Sequence, residues 1–260
     1  MFSFISKPFI YIAVLLIAIL GGLFFYNKKA EAPSESINEI NINNNSIQRI
    51  GDFTIEQITS EDKPKTPSLN RKVVFKNYNT EEVKKILSAK IASNVDILKN
   101  DPNNMNAWID LGVLYKIAGD YQGAREVWEY VSIMAPNDFI APGNLADLYH
   151  FYLKDYVKAE FNYKKSITNN SHLINSYRGL YDLYKISYKE KASLAPKVLI
   201  DGIKVNPESV DLMVLLAEYY KDVGDKGNAI IYYDKAIALL TKMGDTNRLL
   251  LIKTERDLLK

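Results

Sequence analysis

The sequence predicts an all-α fold, a solenoid of stacked helix pairs, and three observations carry that prediction. From Asn79 onward, apolar residues recur at three- and four-residue steps, the period of one buried helix face. A tyrosine recurs as Tyr115, Tyr149, Tyr184 and Tyr220, at steps of 34, 35 and 36 residues. A small residue recurs as Ala124, Ala159, Ala195 and Ala229, at steps of 35, 36 and 34 residues. Two landmarks that keep one period through successive units mark a repeat architecture. A single helix pair cannot cover its own apolar face, so each unit stacks on the next.

The elements follow in chain order. Residues 1–8 are a short tail. Residues 9–26, from Phe9 to Tyr26, are an almost unbroken apolar run. As a helix the run spans roughly 27 Å, enough with its flanks to cross a hydrocarbon core of about 30 Å. Lys7 precedes it, Lys28 and Lys29 follow, and Tyr11 and Tyr26 sit at the expected interfaces. A cleaved signal peptide is the rival reading, with Ala30-Glu31-Ala32 as the small-residue site. The two lysines at the exit and Pro33 directly after the cut favour an uncleaved signal anchor. A short tail before a long polar domain places the repeats outside the cytoplasm, although the flanking lysines are nearly balanced.

Residues 27–78 read as a tether rich in Asn, Ser, Glu and Pro, with isoleucines too sparse to form a core. Two stretches in it alternate like short strands, Asp52–Ile58 and Lys72–Phe75. Residues 79–260 are the helical domain. Asn79 is placed to cap its first helix, with Glu82 completing a capping box. Val83, Ile86, Leu87, Ile91, Val95 and Leu98 line that helix until Asp101-Pro102 ends it. At the far end, the charged helix from Asp245-Thr246 reads as a solvating C-terminal cap.

Between these caps lie four units. The first is the most regular: Trp108, Leu111-Gly112, Tyr115, Gly119, Tyr121, Ala124, Trp128 and Pro136. That spacing, W-x2-L-G-x2-Y followed by Ala, an aromatic and Pro, resembles the tetratricopeptide repeat (TPR). The resemblance implies helix-turn-helix units that stack into a superhelix and bind partner polypeptides. The second unit departs from it at Pro142-Gly143, which reads as a shifted helix start. The third carries Tyr181 where a small residue is expected, so its helices are expected to pack further apart. The fourth matches through Leu216-Ala217, Tyr220, Gly224-Asp225, Ala229 and Tyr233. The drift in period is assigned to extra residues in the turns.

In TPR proteins the first helices of successive units line a concave groove. Carried onto this chain, that groove comprises Asn106, Ile109, Val113, Lys116 and Ile117, then Asn144, Asp147, His150 and Phe151. It continues with Arg178, Asp182 and Lys185, then Val214, Glu218 and Lys221. Some members clamp a chaperone's C-terminal carboxylate with paired Lys and Asn on the first helix. Here Ile109 and Val113 take those places, which disfavours the clamp. A mixed polar and apolar groove suits an extended or helical peptide.

Composition excludes several chemistries. With no cysteine there is no disulfide, thiolate metal site or cysteine nucleophile. A net charge of +2 gives no bulk attraction to nucleic acid. His150 and His172, the only histidines, read as surface or groove residues, and no phosphate-loop, dinucleotide or nucleophile-elbow motif is present. No enzyme, cofactor or metal is expected. The expected function is a membrane-anchored scaffold that binds a protein or peptide in its groove. The alternative is a cell-wall or carbohydrate-binding module built from the tyrosines the motif does not need: Tyr152, Tyr181, Tyr188, Tyr219 and Tyr232.

Overall fold

The computed structural model describes residues 41–42, 45–50, 53–56, 64–77 and 80–260. The apolar run at residues 9–26 and the capping residue Asn79 lie outside these residues. Among the described residues no helix is long and apolar enough to cross a membrane. The chain divides into two units, Met1–Lys63 and Pro64–Lys260.

In the first unit, β1 (Asn41–Ile42), β2 (Asn45–Ile50) and β3 (Phe53–Glu56) form a three-stranded antiparallel sheet in the order β1-β2-β3. Asn41 pairs with Ser46, and Ile50 with Phe53. The alternating stretch Asp52–Ile58 thus supplies β3 over part of its length.

The second unit opens with an extended segment, residues 64–77, which the sequence assigns to the tether. It is docked instead. The Lys76 amide bonds to the Ala118 carbonyl at 2.8 Å, and Leu69, Val73 and Phe75 pack against the helical core. The strand expected at Lys72–Phe75 does not form; the Val74 amide donates to the Asp120 carboxylate at 3.3 Å instead of pairing with another strand. Arg71 fixes the segment through Nε and Nη2, each 2.8 Å from a carboxylate oxygen of Asp120.

Ten α-helices follow. They are α1 (Glu81–Asn100), α2 (Met105–Ala118), α3 (Tyr121–Met134), α4 (Ile140–Asp147) and α5 (Tyr156–Asn169). The rest are α6 (Ile174–Asp182), α7 (Ala195–Val205), α8 (Val210–Asp222), α9 (Lys226–Met243) and α10 (Thr246–Asp257). Consecutive helices pack against one another throughout. Thr80 precedes α1, and its side chain accepts no capping bond.

One local device recurs at several of the turns. Gly119 adopts a left-handed φ of 87° and stops α2, and Asp120 then caps α3 by accepting from the Gly123 amide at 2.9 Å. Gly224-Asp225 and Gly244-Asp245 repeat the device, with Asp accepting from Asn228 and Arg248 respectively. In the second unit Lys154 takes the left-handed place, at φ 57°, before Asp155. The extra residues behind the drifting period are not confined to turns. They widen the ends of two first helices into π-helical turns, Leu148–Leu153 and Leu183–Ser187. The third unit adds a 3₁₀ turn, Lys189–Leu194.

Close packing follows from the small residues. A Cβ on Gly112 would lie 2.3 Å from Trp128 Nε1, so only glycine admits the indole, which donates to the Ile109 carbonyl at 3.0 Å. Trp108 is fully buried and donates to the Pro102 carbonyl at 2.9 Å. Pro142 lies in the first turn of α4, as the shifted start requires. In the third unit Tyr181 is buried where the other units have a small residue.

Candidate functional site

The site is a face made by the first helices. The contacts between successive units put α4, α6, α8 and α10 side by side, and join the first unit to the second at Tyr121, the first residue of α3. The Tyr121 and Tyr152 rings meet at a 40° tilt, with 4.5 Å between their centroids. His150 Nε2 lies 2.9 Å from Ser187 Oγ. Lys185 pairs with Asp222 at 2.8 Å, Lys221 with Glu255 at 2.9 Å, and Arg248 with Asp211 at 2.5 Å.

The groove residues expected from sequence fall into three groups. Arg178, Glu218 and Lys221 come together, with Val214, around a cleft of about 500 Å³ that Leu251 and Glu255 of α10 complete. Asn144 and Asp147 line a second cleft of about 220 Å³ beside Tyr163. Asn106, Lys116, Asp182 and Lys185 lie elsewhere on the face. Lys116 sits over the Trp128 ring at 5.8 Å.

Two expected groove residues do not belong to the accessible surface. Ile109 is 7% exposed, because the turn that carries it lies under the Trp128 indole. His150 is 2% exposed rather than a surface or groove histidine. The π-helical turn rotates it into the seam between the second and third units, where it stacks on Phe151 and meets Ser187. Its other nitrogen lies 3.4 Å from the Tyr163 hydroxyl, which itself donates to Asp147 at 2.7 Å. Burial, reinforced by the Lys154 charge, lowers its pKa to about 4, so it is neutral at pH 7. Burial raises the pKa of Asp147, against the opposing bond from Tyr163. His172 is exposed.

α10 is the largely solvent-exposed terminal helix expected of a cap, and it does more than solvate the end. Its Arg248 and Glu255 are spent on α8, and Leu250, Leu251 and Leu258 stand 62–74% exposed. The helix therefore extends the face. Sequence reading missed Leu251 and Ser187, although Leu251 three residues after Arg248 was a usable signal for one helix side.

The surplus tyrosines form no common strip. Tyr181 is buried, Tyr188 packs near Tyr156, and Tyr219 and Tyr232 pack against Tyr220. Tyr152 alone of these is exposed. Among the described residues no group of His, Asp and Glu is arranged to hold a metal ion.

Residues 96–126 and 210–239 each match a family model described as tetratricopeptide repeat. The chain thus carries TPR repeats. A comparison with curated protein sequences gave no match. Among solved structures, the chain is similar to "Crystal structure of MamA", 20% identical over 65% of this chain and 99% of that one, with a TM-score of 0.52. A second MamA structure matches at 20% identity and a TM-score of 0.51, over 64% of this chain and 89% of that one. Yeast Tom70 matches at 19% identity and a TM-score of 0.50, over 71% of this chain but 44% of Tom70. These likenesses establish the fold, an all-helical TPR-like solenoid.

Proposed function

We propose that this chain is a non-catalytic scaffold, anchored in a membrane by Phe9–Tyr26, that holds a segment of a partner protein on its first-helix face. The observation that carries this reading is the continuous face itself. Five first helices contribute to it, two clefts open on it, and polar groups stand beside exposed apolar ones. That mixture suits a polypeptide, which offers backbone amides and side chains together. An anchor would also raise the local concentration of the face at the bilayer. The long polar domain after a short tail favours an extracytoplasmic placement, the flanking lysines being nearly balanced. The glycan reading is weakened, because the surplus tyrosines form no common strip and Tyr152 alone of them is exposed.

The test is crosslinking with mass spectrometry on membranes carrying the full-length chain, beside a Lys116→Ala, Arg178→Ala, Lys185→Ala variant. A discrete partner lost in the variant is the expected result. An unchanged partner would exclude this face. Protease added from outside to intact cells reports the side on which the repeats lie, and their survival would contradict the extracytoplasmic placement.

A further inference from the structure

The face carries two rows in phase with the repeats. Two residues after each recurring tyrosine stand Ile117, Phe151 and Ile186, which are 39%, 48% and 60% exposed. In the fourth unit Asp222 holds that place, and Val223 beside it is 59% exposed. Two residues before the tyrosines stand Asp147, Asp182 and Glu218. The rows lie four residues apart on each helix, so they run next to each other. From the second unit to the fourth they are also aligned across units, because the inter-unit contacts fall on their immediate neighbours. His150, which precedes Phe151, meets Ser187, which follows Ile186, and the paired Lys185 and Asp222 precede Ile186 and Val223.

Charge distinguishes the acidic row. Three cations of the face are spent: Lys185 on Asp222, Lys221 on Glu255 and Arg248 on Asp211. Asp182 and Glu218 have no cation within ion-pair distance among the described residues. Lys116 over Trp128 and Arg178 one turn before Asp182 remain against the three carboxylates of the row.

Packed neighbouring helices lie about 8–10 Å apart. A polyproline II segment advances about 9 Å in three residues and returns every third side chain to the same side. From this match we infer that the face binds an extended segment with an apolar residue at every third position and lysine or arginine between. The inference rests on the scaffold reading above and names the partner's chemistry. Each apolar side chain meets one of Ile117, Phe151, Ile186 and Val223, and the intervening cations meet Asp147, Asp182 and Glu218.

The test uses fluorescein-labelled twelve-residue peptides titrated against the full-length chain in mild detergent, read by anisotropy. One peptide repeats Leu-Lys-Ser, a second has the same composition with leucine at alternate positions and then none, and a third replaces each lysine by glutamate. The first is expected to bind at least about tenfold more tightly than either other peptide. A Phe151→Ser, Ile186→Ser variant is expected to lose about tenfold while its circular-dichroism spectrum stays that of the folded helical chain. Asp182→Lys with Glu218→Lys is expected to abolish the preference over the glutamate peptide. Equal binding of the first two peptides, no binding of any, or indifference to the Phe151 and Ile186 changes overturns the inference. If the partner crosslink is lost in the triple alanine variant while the peptides are not distinguished, the scaffold reading stands and the threefold spacing falls.

Discussion

Trp108 shows how much of a repeat rests on one side chain. It is fully buried, its indole N–H is bonded to Pro102, and its ring meets Tyr130 edge-on at 5.3 Å. Trp108→Ala is expected to cost about 3–5 kcal/mol in denaturant unfolding. A loss below about 1 kcal/mol would contradict the packing described. His150 makes a different kind of prediction. Its pKa falls from the ordinary 6.5 to about 4 on folding, so the unfolded chain binds the extra proton between those values. The contribution of neutral His150 is complete above pH 6.5 and is lost as the pH falls toward 4, on the order of 2–3 kcal/mol in all. Asp147 and Asp182, raised chiefly by burial, pull the other way as they protonate, so the effect is read by difference. The stability gap between wild type and His150→Asn is expected to narrow as the pH falls from about 6.5 to 4. A constant gap would mean that the imidazole is not desolvated.

At the scale of elements, the Gly-Asp turns were legible because the chemistry is local: a left-handed residue followed by a cap is written in adjacent letters. Lys154 was not legible, since nothing in its neighbourhood announces a left-handed lysine. A side chain there costs about 1–2 kcal/mol, part of which glycine returns as unfolded-chain entropy. Lys154→Gly is therefore expected to raise thermal stability slightly, by about 0.5 kcal/mol, and a clear loss would show that the Lys154 side chain contributes. The docked segment at 64–77 was missed for a related reason. Its anchor, Arg71, finds Asp120 49 positions away in sequence, and composition alone reads such a stretch as tether. Burial opposes ionisation of Asp120, yet the Arg71 hydrogen bonds and the Gly123 amide hold its pKa below the usual range. Arg71→Ala is expected to cost about 1.5–3 kcal/mol and to speed hydrogen exchange at the Lys76 amide. Unchanged exchange there would show that the segment is held by its apolar contacts alone.

For the whole molecule, repeat period and helix faces were legible because stacking imposes the same landmarks on every unit. The candidate face was legible only through the family resemblance, which places positions without their surroundings. That is why Ile109 and His150 were assigned to a surface they do not reach. Whether Ile109 is covered depends on Trp128, nineteen residues later, and the seating of His150 depends on a π-helical turn. The same limit explains α10, whose partners Asp211 and Lys221 on α8 could not be read from its own charges. Most direct is a photocrosslinking amino acid placed singly at Phe151 and Glu218 on the first-helix face, and at Val157 and Phe161, both 65% exposed on α5. Irradiation of membranes is expected to give one discrete adduct from Phe151 and Glu218 and none from Val157 or Phe161. An adduct from the α5 positions alone would place the partner on the opposite layer and contradict the scaffold described.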